Sequence, residues 1–583
     1  MLSKQQQKWT YLSIFTFYAL LQLYSIFNHQ LFGDEAFYWL ESQHLAWSYT
    51  ELPAWTQWMI ALSEFFFPRH PFFIRLPSLL AALSLPWLSM LIAHTIKPES
   101  HPSWKTGLLT LALPLLALAG ILAIPDIWVV FFALLAVLFW LLAIQQMKNK
   151  WFFALGLTLA LGINVHLRFW LIVFIAAVSF IWQFRHHQTL VKRLLLITLP
   201  VAALGFLPIV WFNVQHNFPM LAFQLSDRHP WQFQSSHFTF FVVQVLVTTP
   251  LVFTLSAATV FSKQRNNQII ASLVYLALFH WLTYAVVGFF SDNLRFNIHW
   301  TLFSYVLLLI IASVNTEQFK RLQQWAAYTG ALCSLLTLMT FIYWLQPNTP
   351  VSTYNQQLTE NSRGWQELAL KTKDLSIKYA THLVVADNFM TLAELKFYLP
   401  ESGQLTALSH PLNIKHGRQV QLDIMQYTQE KTTNKKLLVV EHNALKLEQT
   451  LPFYLQACDT LNGIKLIDTL DYAEGIKSFY FFETGHGACQ LPPITYIENS
   501  AAQISGWVLT NKHSLIEVRA EPNSNPIKLT EKDIRNNPLF KGLDPNKYHL
   551  NEFSFDNQSS DEIKQLAIKL NGLMIQSQRL EGN

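Results

Sequence analysis

From about Lys8 to Gln346 the sequence repeats one pattern, an apolar stretch followed by a short polar hinge. A helix of about 20 apolar residues crosses the hydrocarbon core of a bilayer. Stretches of that kind fall near 9–30, 75–96, 104–123, 127–146, 151–166, 169–184, 194–213, 238–260, 268–290, 297–315 and 323–345. The pattern predicts a polytopic α-helical membrane protein with about eleven transmembrane helices. The short fifth and sixth stretches can also be read as one broken hairpin, which keeps the parity of the rest. Charged residues make up 13% of the chain, against roughly 25% in a soluble domain. The first apolar run has no small-residue cleavage site and leads straight into a polar loop, so it reads as an anchor and not a cleaved signal.

Charge fixes an expected orientation. With the N-terminus inside, the inner loops and tail hold Lys4, Lys8, Lys97, Lys105, Lys148, Lys150, Arg185, Lys192, Arg193, Lys263, Arg265, Lys320 and Arg321. The outer side holds only Arg69, Arg75, Arg168, Arg228 and Arg295. The net charge of +5 is this bias and nothing more, and no basic stripe suggests nucleic acid. On the same outer side fall Asp34, Glu35, Glu51, Asp126, Arg168, His216, Asp227, Arg228, Asp292, Arg295 and His299, a convergence on one face that points to a site there.

Two acidic positions stand out. The loop from Leu31 to Trp58, LFGDEAFYWLESQHLAWSYTELPAWTQW, opens on Asp34 and Glu35 among Tyr38, Trp39, Trp47, Tyr49, Trp55 and Trp58. Such rings favour the membrane interface, where carboxylates are costly to keep ionised. The competing reading is an ordinary wet loop. In LAIPDIWVV, Asp126 follows Pro125 with almost no polar neighbours. It either only caps the next helix or caps it and takes part in chemistry.

After Pro347 the chain has the composition of a soluble protein. THLVVADNFMTLAELKFYL and KLLVVEHNALKLEQTLPFYLQAC each read as a strand followed by an amphipathic helix, which predicts an α/β domain over 347–493. Short strand-like runs over 494–583 predict a β-sandwich-like accessory domain. Cys458 and Cys489 are the only cysteines in this region, and an oxidising outer compartment would join them in a disulfide. Cys333 lies within a span. No phosphate-binding glycine loop, nucleophile elbow or cysteine metal cluster is present.

FGDEAFYWLESQHLAW, RLPSLL (Arg75 to Leu80), PDIWVVFF (Pro125 to Phe132) and PIVWFNVQHNFPMLAFQL (Pro208 to Leu225) together resemble the bacterial dolichyl-phosphate-mannose protein mannosyltransferase-like superfamily. The resemblance continues through SRGWQELA (Ser362 to Ala369), LAELKFYLP (Leu392 to Pro400) and HPLNIKHGRQVQL (His410 to Leu422). It implies the GT-C fold, with 1–346 as the transmembrane catalytic domain and the C-terminal part periplasmic. It also implies a bacterial inner membrane, a polyprenyl-phosphate sugar donor, and an acceptor that is an envelope glycolipid, a polysaccharide or a protein. By position, Asp34, Glu35 and Asp126 match the family's catalytic acids, and Arg168 matches its basic residue at the outer end of a later span. Relatives often show DHPP in loop one, where this chain has Glu51, Leu52, Pro53 and Ala54. Some hold a divalent metal between a loop-one carboxylate and a later His, which would correspond to Glu51 and His216; no cofactor is otherwise required.

Transfer from such a donor needs a carboxylate to take the acceptor's proton, cations to hold the departing phosphate, and exclusion of water. Asp34 is the candidate base for a direct, inverting displacement. Glu35 and Asp126 are candidates for orienting hydroxyls. Arg168 and Arg295 are candidates for the phosphate, the alternative for each being a side chain snorkelling from a helix end. Tyr38, Glu51, His216 and His299 are further substrate-binding candidates, although a His beside aromatics is often only packed and hydrogen-bonded. The rival class is a transporter or flippase of a lipid-linked saccharide, which would place ionisable residues near mid-bilayer in repeated halves. Here the spans are apolar and the charges gather at one side.

Overall fold

The computed structural model describes residues 4–98, 104–227, 232–262, 267–290, 298–314, 319–352, 354–381, 383–399, 403–473, 476–499, 503–512, 515–521, 526–534, 538–540, 543–556, 565–570 and 573–579. These divide into two compact units. The first comprises residues 1–29 and 41–346; the second comprises 30–40 and 347–583. The start of loop one is thus grouped with the C-terminal third, and the two expected C-terminal domains lie in one unit.

The first unit is helical, and helix occurs in each of the eleven stretches expected to span. Among the described residues seven helices are long and apolar enough to cross a membrane: Gln5–Asn28, Pro71–Ile96, Asp126–Gln146, Leu167–Phe184, Gln188–Gln215, Gln268–Phe290 and Lys320–Leu345. Ser235–Thr248 and Pro250–Val260 qualify together but are bent by 107° at Thr249, which has φ 70° ahead of Pro250. The stretch at 104–123 is divided into Trp104–Leu111 and Pro114–Ala119, because Pro114 has no amide hydrogen with which to continue the first helix. Asn149–Ile163 and Leu302–Val314 are shorter apolar helices. All of Leu302–Val314 is buried, as an apolar surface all round a helix requires. Its Leu, Ile and Val side chains join those of Asp126–Gln146 in the main core.

Among the described residues the second unit contains three sheets. Strands β1 (Val384–Ala386), β2 (Leu405–Ala407), β3 (Leu437–Glu441), β4 (Ile464–Tyr472) and β5 (Lys477–Thr484) form a sheet in the order β2-β1-β3-β5-β4. Pairing is parallel among β2, β1 and β3, and antiparallel from β3 to β5 to β4. The apolar runs of β1 and β3 are buried throughout, as expected for strands covered on both faces. Strands β6 (Ile494–Asn499), β7 (Gln503–Asn511), β8 (Ile516–Glu521), β9 (Thr530–Lys532), β10 (Tyr548–Asp556), β11 (Gln565–Leu570) and β12 (Leu573–Arg579) make the sheets β6-β7-β10-β9 and β12-β11-β8. One cluster joins Val385, Leu438 and Tyr454 of the α/β part to Ile494, Leu509 and Leu550 of the β-rich part, so a shared core binds 347–493 to 494–583. Cys458 and Cys489 are disulfide-bonded, with Cα atoms 5.5 Å apart.

Candidate active site

The candidate residues form two clusters, one in each unit. In the second unit, Gln30 ties loop one down before its helix begins. Its Oε1 accepts hydrogen bonds from the backbone N–H groups of Trp365 (2.9 Å) and Gln366 (3.2 Å), capping the helix Trp365–Lys378. The next residue, Leu31, donates its N–H to the Tyr398 hydroxyl at 3.2 Å. Helix Gly33–Ser42 then starts where a Cβ on Gly33 would lie 2.7 Å from Met390 Sδ, so glycine allows the close approach. Glu35 is fully buried, and its carboxylate accepts the Phe32 N–H at 3.0 Å, satisfying one of the donors exposed at a helix start. Phe37 packs edge-on against Phe389, and Trp39 against Phe397.

Asp34 faces a different neighbour. Its Oδ1 lies 2.9 Å from an Nη of Arg418; the Asp34 side chain is 35% exposed and that of Arg418 only 1%. The guanidinium carbon sits 4.1 Å from the centre of the Phe389 ring, 4.6 Å from that of Phe37 and 5.6 Å from that of Tyr38. HPLNIKHGRQVQL shapes the turn that carries this side chain. His410 accepts the Leu412 N–H at the start of the helix Pro411–Lys415. Gly417 adopts φ 68°, the left-handed conformation that ends helices, and the Arg418 N–H returns to the Asn413 carbonyl at 2.7 Å. Asn413 Oδ1 in turn accepts the Phe389 N–H at 2.9 Å, linking the Arg418 turn to the ring it covers.

The second cluster lies in the first unit. Asp126 opens the helix Asp126–Gln146, where a carboxylate complements the dipole. Its side chain is engaged by two cation-forming partners, with Arg168 Nη1 at 2.7 Å and His299 Nε2 at 2.8 Å, both on Oδ1. Arg168 stands in the first turn of the helix Leu167–Phe184, whose start is capped by His166 accepting the Arg168 N–H at 3.0 Å. The guanidinium also lies 5.0 Å from the centre of the Trp300 ring. His299 is 41% exposed. A buried polar network braces the turn beside it. Gln244 Nε2 donates to the Ile298 carbonyl at 3.0 Å, and Gln244 Oε1 accepts from Thr301 Oγ1 at 2.7 Å and from Tyr305 at 3.0 Å.

Two further candidates, Glu51 and His216, belong to the first unit. Glu51 is buried in loop one, where its backbone carbonyl accepts from Gln224 at 2.9 Å. His216 ends the helix Leu207–Gln215 with its ring 4.8 Å from that of Phe212. Among the described residues no group of three or more His, Cys, Asp or Glu side chains is arranged to hold a metal ion. Glu51 and His216 therefore gain no third protein ligand among them. Arg295 lies outside the described residues, as do Asp292 and Arg228. Arg418 and Gln244 do not figure among the sequence candidates. A lone Arg in a polar third carries no sign that it is buried, whereas a Gln inside an apolar span is a visible sign of an internal hydrogen bond.

Residues 52–212 match the family model of dolichyl-phosphate-mannose-protein mannosyltransferases. The chain is 24% identical over 384 residues, 64% of its length and 78% of the relative's, to the lipid A galacturonosyltransferase RgtD of Rhizobium johnstonii. Its fold is similar to that of ArnT from Cupriavidus metallidurans in the apo state, at a TM-score of 0.56 and 14% identity over 82% of this chain and 98% of that one. With undecaprenyl phosphate bound, the same protein matches at 0.54 and 14% identity, over 81% and 98% respectively. The likenesses favour a sugar transferase over a flippase. The chain is a multi-pass bacterial inner-membrane glycosyltransferase with the GT-C fold, similar in sequence to the protein mannosyltransferase family over residues 52–212 and in fold to ArnT.

Proposed function

We propose that this enzyme moves a sugar from a polyprenyl-phosphate carrier to a hydroxyl of an envelope glycolipid on the periplasmic face, with lipid A as the first acceptor to test. The relative acting on lipid A and the structural neighbour that binds undecaprenyl phosphate support this choice. The sugar is a hexose or a pentose. A polysaccharide or protein acceptor ranks behind the glycolipid. The positive-inside bias supports an inner N-terminus and an outer C-terminal unit, which keeps the site away from cytoplasmic sugar nucleotides.

The acceptor oxygen attacks the anomeric carbon, the bond from that carbon to the phosphate oxygen breaks, and polyprenyl phosphate leaves from the opposite face. The anomeric centre inverts in this single step. Asp34 takes the acceptor's proton as general base; its partial exposure leaves room for a hydroxyl while Arg418 holds one oxygen. Glu35 contributes by fixing the helix entry that aims Asp34. Arg168 stabilises the charge developing on the phosphate, and His299 adds to this when protonated. Asp126 holds both side chains through Oδ1, and its Oδ2 is the oxygen proposed to meet a sugar or acceptor hydroxyl. Tyr38 lines the Asp34 cluster, and Arg295 is a second phosphate candidate. Glu51 and His216 remain candidates for substrate contact.

The observation that carries this reading is the Asp34 carboxylate, partly exposed to solvent and held by a buried cation. The test is sugar transfer by purified enzyme in liposomes, from undecaprenyl-phosphate sugars to lipid A, with the Asp34→Asn variant alongside. Loss of transfer with donor binding retained supports the role of Asp34, and unchanged transfer rejects it. Mass spectrometry of envelope lipids and glycoproteins from cells with and without the gene identifies the acceptor. A sugar missing only from proteins would overturn the glycolipid assignment.

A further inference from the structure

We propose that Arg418 is a positioning residue for the reaction, acting through Asp34. The proposal rests on the reading of Asp34 as the general base. A guanidinium stays charged at any pH the cell reaches, and one that is 1% exposed must be compensated by carboxylate and aromatic partners. The Phe37 and Phe389 rings cover it, at 4.6 and 4.1 Å, and the Asp34 carboxylate meets it at 2.9 Å. The arrangement constrains Asp34 more than it constrains Arg418. Arg418 is held by the Gly417 turn and by Asn413, which is bonded to the Phe389 backbone, so the cation occupies a fixed point. Asp34 stands in the first turn of a short helix with about a third of its side chain exposed, and its carboxylate reaches the edge of this fixed cation.

A carboxylate drawn against a fixed cation is limited in the directions its oxygens can face. For a base that must meet a hydroxyl proton in line with an attack trajectory, that limit is worth more than added basicity. Phe37 belongs to the same helix as Asp34 and lies against the guanidinium, so the helix reads the position of Arg418 twice, through a charge and through a ring. Residues far apart in sequence are thereby joined into one catalytic element, with Asp34 for the proton and Arg418 for its aim.

The test uses the full-length enzyme in nanodiscs with undecaprenyl-phosphate sugar as donor. Arg418→Met should lower kcat roughly 100-fold, the scale of loss for a misplaced catalytic group, while donor KM changes by less than about twofold. Guanidinium chloride at millimolar concentration should restore part of the rate, and Arg418→Lys should fall between wild type and Met. When Asp34→Asn is already present, Arg418→Met should produce no further loss. Wild-type kcat in a folded Arg418 variant, a rise in KM with kcat unchanged, or a full multiplicative loss in the Asp34→Asn background would each overturn the proposal. If Arg418→Met fails to fold, Arg418→Lys supplies the same comparison, and wild-type kcat there rejects the role. Unchanged turnover in Asp34→Asn alone would instead reject Asp34 as the base, a separate outcome.

Discussion

Arg168 Nη1 and Asp126 Oδ1 lie 2.7 Å apart, each at the first turn of a different membrane helix. Two helix starts are therefore joined by charge, and His299 meets the same oxygen at 2.8 Å. Removing either partner leaves the other mostly buried and poorly compensated. Arg168→Ala is expected to lower kcat/KM by about 100- to 1,000-fold if the guanidinium stabilises charge in the transition state. Asp126→Asn should act non-additively with it, with a coupling on the order of 1–3 kcal/mol in a double-mutant cycle on activity. Additive effects would mean that the two residues work separately.

A second prediction concerns pH and the C-terminal unit. Burial pushes Asp387 up to about 6 and Glu441 up to about 7, and pushes Lys477 down to about 8. Lys477 lies 3.9 Å from Glu441, with its ammonium over the Trp365 ring. A carboxylate whose folded pKa is raised contributes stability below its unfolded pKa and loses that contribution as pH rises through the folded value. Stability from Asp387 and Glu441 should therefore decline between about pH 4 and pH 7. Lys477 acts in the opposite sense, losing its contribution as pH falls from its ordinary range through about 8. Melting curves from about pH 4.5 to 7.5 should show Glu441→Gln flattening the decline by on the order of 1–3 kcal/mol. An identical slope in the variant would show that Glu441 does not titrate in this range.

The disulfide is a third handle. Cys458 and Cys489 are 31 residues apart, and closing a loop of that size removes about 3–4 kcal/mol of unfolded-state freedom. The double Cys→Ser variant should melt lower by a corresponding amount, and mass spectrometry of unreduced protein should find the linked peptides. Two free thiols in protein from the oxidising side would contradict the bond.

The orientation is tested by fusion. A reporter active only in the periplasm should work when joined after Gln346 and fail when joined after Lys150. The reverse pattern would invert the assignment and place Asp34 and Asp126 on the cytoplasmic side.

Legibility follows the physics of each region. The membrane helices can be read because lipid leaves an apolar run of that length little alternative to helix, and Asp126 because an acid in such surroundings is conspicuous. The break at Pro114 and the bend at Thr249 escape such a reading, since hydropathy counts apolar residues and is blind to a lost amide hydrogen or a positive φ. Asp34 and Glu35 look like a pair in the sequence, but successive helical residues point about 100° apart. One meets Arg418 and the other turns back to Phe32. Arg418 is hidden for a different reason, because burial in the soluble unit depends on a tertiary partner that no local pattern announces.

The Gln30 and Leu31 anchors bear on how the protein is made. Leu31 and Tyr398 are 367 residues apart, and Gln30 and Trp365 are 335 apart. On the ribosome, loop one emerges long before the segments that tie it down, and Asp34 has no Arg418 to meet until the C-terminal third has been translated and folded. If Asp34 is the base and Arg418 aims it, the nascent membrane portion is a sugar transferase with its base unaimed. Activity would switch on late in biogenesis, and a chain cut short after its last span would be inserted but inert.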